Sequence, residues 1–175
     1  VSFFGAPIED PENAYHACLA GIRMLQAEAK YNEENKSKLP IIKETGEPFY
    51  LHSRVGINTG NMVVGNMGTS KKLNYTIMGN NVNLASRLEG TNKVYNSWII
   101  CSDTTWQAAD SGIHKGELIA RKLDYVRVVN VNKPVQIHNI LGLKSEMDPA
   151  QVEAAALFNE GMRYYLMGSD TPEVK

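Results

Sequence analysis

Apolar positions recur at helical spacing at Ala14, Cys18, Ile22, Leu25 and Ala29, directly after Asp10-Pro11-Glu12. That tripeptide reads as an N-cap, a proline at the first helical position and an acidic first turn, which predicts an amphipathic helix. Before it, Val1-Ser2-Phe3-Phe4-Gly5 is a strand-like run with no polar lead-in, as though a strand had been cut in its middle, so a fragment is expected. Tyr31 to Pro48 turns polar and charged, with Pro40 and Gly46, and predicts a long solvated excursion between elements. Tyr50 to Asn58 and Asn61 to Gly65 are β-type runs flanking Thr59-Gly60, which predicts a hairpin with Leu51, Val55 and Ile57 on its inner face. A glycine-punctuated loop, GNMGTSKK, leads to a short strand at Tyr75 to Met78. Gly79-Asn80-Asn81 then breaks the strand and caps a helix from Val82 to Glu89.

Further on, Trp98 to Cys101 reads as a strand, and Ser102-Asp103 caps a short helix through Ala109. Three more β-type runs follow, near His114 to Arg121, Tyr125 to Val129 and Val135 to Leu143. The order implies an α+β sheet with helices on one face. Past Lys144, Asp148-Pro149 opens a helix carrying Val152, Ala155, Ala156, Phe158, Asn159 and Met162. Residues 144–175 therefore read as a linker and helical appendage to a domain spanning 1–143, with Ser169 to Lys175 frayed.

Composition narrows the class. With 43% hydrophobic residues in 175, the chain can bury a real core. Its formal charge of -1 supplies no global field for nucleic acid or acidic lipid, so any anion site must be local. Cys18 and Cys101 stand far apart within apolar segments, which suits buried thiols in a reducing compartment and points to the cytoplasm. No apolar run approaches the roughly 20 residues that span a bilayer, so no direct membrane contact is expected of this segment, even if a parent protein is anchored. His16, His52, His114 and His138 show no zinc-ligand spacing.

Chemistry concentrates in NYTIMGNNVNLASRLEG, Asn74 to Gly90. Asn83 and Arg87 are four apart on the expected helix, so an amide and a guanidinium share one face and form a fork of donors. Such a fork can hold a ribose oxygen and a polyphosphate while charge develops on phosphorus. Taken alone, the pair reads more readily as structural, with Asn83 bonded to the helix start and Arg87 paired to an acid such as Glu89 or to another strand.

FFGAP near the start, VGINTGNMVVGNMG at Val55 to Gly68 and YTIMGNNVNLASRLEGTNK at Tyr75 to Lys93 together resemble class III adenylate and guanylate cyclase catalytic domains, bacterial-type adenylate cyclases above all. The resemblance covers Val1 to Leu143. It implies a ferredoxin-like α+β fold, truncated at its N-terminus, that works as a homodimer with its sites between subunits. It also implies conversion of ATP to 3′,5′-cyclic AMP by attack of the ribose 3′-oxygen on the α-phosphorus, assisted by two Mg²⁺ or Mn²⁺ ions. The V-N-x-A-S-R pattern falls on Asn83, which would orient the ribose, and Arg87, which would stabilise the phosphates from across the subunit boundary. Thr76, seven residues before Asn83, occupies the purine-reading position, where guanylate cyclases usually carry Cys. The family's two metal-binding aspartates and its purine-reading lysine would lie before Val1, so no metal ligand is assigned here; Asp10, Asp103 and Asp124 read as structural. Where the family shows V-K-G-K, Val129 stands in place of the phosphate-binding lysine, with Lys133 nearby. That departure carries the alternative reading, a catalytically inactive cyclase-like module for dimerisation or nucleotide sensing. The tail around Phe158 to Tyr165 resembles the first helix of a tetratricopeptide-type repeat.

Overall fold

A computed structural model describes residues 1–69, 72–127 and 134–168. Helix α1 spans Asn13–Glu34, β1 Val55–Ile57, β2 Val63–Thr69, β3 Lys72–Met78, α2 Asn80–Tyr95, β4 Ile99–Ser102, α3 Asp103–Ala109, β5 Leu118–Val126, β6 Val135–Leu143 and α4 Pro149–Gly168. Four strands form a mixed sheet in the order β1-β4-β6-β5, and β2 and β3 form a separate two-stranded sheet.

The hairpin expected around Thr59-Gly60 is not formed. β1 pairs in parallel with β4, Val55 opposite Ile99 and Ile57 opposite Cys101, while β2 pairs with β3 from Val63 opposite Met78 to Thr69 opposite Lys72. The strand begins only at Val55, so Leu51 is exposed rather than inward. Its main chain is instead held by the buried Asn32, which donates to the Leu51 carbonyl at 2.8 Å and accepts from the Leu51 amide at 2.9 Å. The two β-type runs from His114 to Val129 contain one strand among the described residues, β5, with register irregularities at Ile119/Ala120 and Lys122/Tyr125. Asp124 sits at the second irregularity rather than in a connection. Val1 to Ile8 belongs to no strand among the described residues.

Helices cover both faces of the four-stranded sheet, not one. On one face Ala14, Tyr15, Cys18 and Ile22 of α1 and Ala109 of α3 pack with Ile57, Ile99, Cys101, Leu118, Ala120 and Ile140. On the other, Leu84 and Leu88 of α2 pack with Ile100, Leu123 and Ile137. The alternation Ile99, Ile100, Cys101 sends side chains to opposite faces, so an unbroken apolar run is what a doubly covered strand requires. Both cysteines are free thiols and fully buried. Hydrogen bonding with Cys18, and burial after it, push the Cys101 thiol well above its ordinary value.

Local chemistry sets the helix ends. Asp10 does not cap α1: its carboxylate accepts from the Glu12 amide at 3.0 Å and pairs with His16 at 2.7 Å, and the helix begins at Asn13. Ser102 does cap α3, accepting from the Thr105 amide at 3.4 Å. His138, stacked on Trp106, bonds Asp103 at 2.8 Å, and burial lowers its pKa.

Helix α4 lies against the edge strand β5. Asn159 accepts from the Lys122 amide at 2.7 Å and donates to the Ala120 carbonyl at 2.9 Å, doing for the edge what a neighbouring strand would do. Arg23 and Gln26 of α1 bind Glu146 just before α4, the arginine with both carboxylate oxygens. Asn159→Ala should therefore raise amide exchange at Lys122 and lower stability by about 1–2 kcal/mol, since it strands main-chain groups that are half-buried. Unchanged exchange at Lys122 would contradict this docking.

Candidate functional site

The core fixes which way α2 faces. Leu84 and Leu88, one turn apart, are buried, and Leu88 fully so. Asn83 and Arg87, the residues expected to act together, lie one turn apart on the exposed side of the same helix. The Arg87 carbonyl accepts from Thr91 Oγ1 at 2.8 Å, so the helix around it is regular and locally reinforced.

Gly56 sets how closely that helix approaches the sheet. A Cβ at this position would overlap the main-chain oxygen of Ala85 and the main-chain nitrogen of Glu89, and would lie 2.9 Å from the Leu88 carbonyl carbon. The backbone of α2 therefore rests directly on β1. Asn92, fully buried, fastens the far end: its amide donates to the Val55 carbonyl at 3.0 Å, and its oxygen accepts from Ser97 at 2.9 Å. Tyr95 reaches Asp124 at 3.3 Å, and burial first, then the Asp124 charge, raises its phenol above the ordinary value.

Thr76 lies in β3, opposite Gly65 of β2 and half-buried. β3 passes into α2 through Gly79, whose φ of 146° is one that side-chain-bearing residues rarely adopt. Its carbonyl accepts from the Val82 and Asn83 amides at 3.1 and 3.2 Å. The helix starts at Asn80, so Asn80 and Asn81 are first-turn residues rather than caps, and no side chain caps this end. The structure thus brings Asn83 and Arg87 onto one face and puts Thr76 on the strand that feeds their helix. Two cavities, of about 450 and 260 Å³, lie around α1, the start of β4 and Trp98, and neither is lined by Thr76, Asn83 or Arg87. Asn83 and Arg87 are exposed within one protomer, and Thr76 is half-buried.

Among the described residues no group of three or more His, Cys, Asp or Glu is placed to hold a metal ion. Asp103 is engaged by His138, Asp124 by Tyr95 and the Tyr125 amide, and Asp10 by the start of α1. These carboxylates do not fit a two-metal centre, and no chemistry through a metal is assigned to them. Val129 and Lys133 lie outside the described residues. Among the described residues no helix is long and apolar enough to cross a membrane.

Among the residues that bind α2 to the sheet, the sequence assigns no role to Gly56, Asn58 and Asn92, and marks Asn81 and Ser102 only as helix caps. The repeated asparagines of INTGN and GNNVN show that side-chain amides are plentiful here, but not which of them meet.

The adenylate and guanylate cyclase catalytic domain profile matches residues 2–116, more than half of the chain. Adenylate cyclase 1 of Rhizobium meliloti (strain 1021) is 36% identical over 101 residues, which are 58% of this chain and 14% of that protein, so the chain spans only about a seventh of this relative. Among solved structures, the guanylyl cyclase Cya2 and the adenylyl cyclase CyaB from P. aeruginosa each superpose with a TM-score of 0.65 at 29% identity over 83% of this chain, covering 66% and 68% of theirs. The mixed sheet and its helices are thus those of cyclase catalytic domains, in a family that uses divalent metal. This chain belongs to the adenylate and guanylate cyclase catalytic domain family.

Proposed function

We propose that these residues form part of an adenylate cyclase that converts ATP to 3′,5′-cyclic AMP and pyrophosphate. The observation that carries this reading is the outward-facing pair Asn83 and Arg87, one turn apart on a helix seated directly on the sheet. The Asn83 amide would orient the ribose. The Arg87 guanidinium would stabilise the charge that develops on the phosphates as the 3′-oxygen bonds to the α-phosphorus and the bond to the β-phosphate breaks. Their open placement suits a ligand held by a second copy of the chain, so the working unit is a homodimer. In this reading the ligands for the metal ions are not among these residues.

Relatives named for adenylyl and for guanylyl activity are both similar, so nucleotide choice rests on Thr76. Its hydroxyl can accept from the adenine amino group. The buried free thiols and an ATP substrate suit the cytoplasm. Val129 in place of a phosphate-binding lysine supports the second reading, a non-catalytic dimerising or nucleotide-sensing module.

The test supplies manganese with ATP or GTP to the parent protein extended upstream of Val1, with the 175-residue chain as comparison. Cyclic AMP from the extended form, in excess of cyclic GMP and absent with the chain alone, is the expected result. A folded, dimeric extended form that makes neither product would overturn the enzyme reading in favour of the module.

A further inference from the structure

We propose that Asn81 and Asn58 form an amide relay that positions α2 for catalysis, so that both are positioning residues of the cyclase reaction. The inference rests on the function proposed above.

The relay starts at a fixed point. Ser102, fully buried at the end of β4, donates to Asn58 Oδ1 at 2.6 Å. Asn58, just past β1, donates from Nδ2 to the Asn81 carbonyl at 3.1 Å and to Asn81 Oδ1 at 3.2 Å. Asn81 Nδ2 in turn donates to the Asn61 carbonyl at 2.9 Å. Four segments are thereby joined: the sheet at β4, the end of β1, the connection toward β2 and the first turn of α2. Gly60 leaves room for the last link, since a Cβ there would overlap the Asn81 side-chain amide.

The position of the relay gives it a function beyond holding the fold. α2 has no side-chain cap, so the tertiary bonds through Asn81 are what hold its first turn laterally. Gly56 sets the height of α2 over the sheet but sits under Ala85 to Glu89, later in the helix. Asn81 and Asn83 are two residues apart, about 200° around the helix at 3.6 residues per turn. An inward tether at Asn81 therefore fixes the direction in which Asn83 projects, and Arg87 one turn later follows it. Catalysis by positioning loses rate steeply when groups shift by about 1 Å, so loosening this turn should cost turnover well before it costs the fold.

The test uses the parent protein with manganese and ATP, and compares wild type, Asn81→Ala, Asn81→Asp and Asn58→Ala for kcat, KM and thermal midpoint. Asn81→Ala and Asn58→Ala should each lower kcat about 10- to 100-fold with KM within about threefold. Asn81→Asp keeps the acceptor for Asn58 and should recover part of the loss. In a background carrying both Asn83→Ala and Arg87→Ala, Asn81→Ala should lower the residual kcat less than about threefold, because the groups it positions are already gone. Equal losses in both backgrounds, or losses that follow the thermal midpoint alone, would make the relay structural only and overturn the proposal. An active wild type whose Asn81→Ala variant keeps its kcat would overturn this inference alone; a wild type that makes no cyclic nucleotide would overturn the functional reading and this one with it.

Discussion

If α2 acts as proposed, Arg87→Ala should lower kcat of the parent protein about 10²- to 10³-fold, with a thermal midpoint within about 2 °C of wild type. Both halves of this expectation come from where the residue sits. Its side chain is on the exposed side of α2, while the residues that hold the helix, Leu84 and Leu88, are on the other. Substitution at such a position typically changes stability by no more than about 0.5 kcal/mol. In the proposed reaction the rate effect would be large because a guanidinium on the developing phosphate charge acts in the transition state more than in the bound ground state. Steady-state kinetics beside a thermal melt decides the matter. Parallel loss of activity and stability would mean that Arg87 acts as a structural residue.

Gly56→Ala should produce the opposite profile, a loss of stability that takes activity with it. The added methyl would run into main-chain atoms of Ala85 and Glu89, which have no rotamer to change, so α2 must lift from β1. Overpacking of this kind costs about 1–3 kcal/mol, which corresponds to about 3–10 °C in a domain of this size. Lifting the helix also carries Asn83 and Arg87 away from their positions, so kcat measured well below the melting temperature should still fall about tenfold or more. A melt unchanged within about 1 °C would show that α2 does not rest on β1 as described.

The parts of the fold that could be read from the sequence are those set by local spacing. Helix α2 was legible from the break at Gly79, although it runs on to Tyr95 rather than ending at Glu89, and the interval of four put Asn83 and Arg87 on one face. Ser102 was recognisable as the cap of α3 from its place before Asp103 and Thr104. What failed were partners chosen at long range. Thr59-Gly60 looks like a hairpin turn, yet β1 finds its partner over forty residues later in β4, and parallel pairing leaves no turn signature. The two-sided cover of the sheet was present in the unbroken apolar run Trp98 to Cys101 but cannot be told from a one-sided strand by that short run alone. The relay from Ser102 through Asn58 to Asn81 was out of reach for a related reason. It joins side chains from separate segments whose meeting depends on the finished fold, so no spacing in the sequence encodes it.

In the proposed homodimer, α2 of one protomer completes a site held by another. The direct measurement mixes two parent variants, Arg87→Ala and one unable to bind metal, each expected to be nearly inactive alone. If α2 acts across the subunit boundary, the mixture should regain about a quarter of wild-type cyclic AMP production, since about half of the dimers are mixed and each of those holds one intact site of two. A mixture that forms mixed dimers by native mass spectrometry and yet stays inactive would contradict the account.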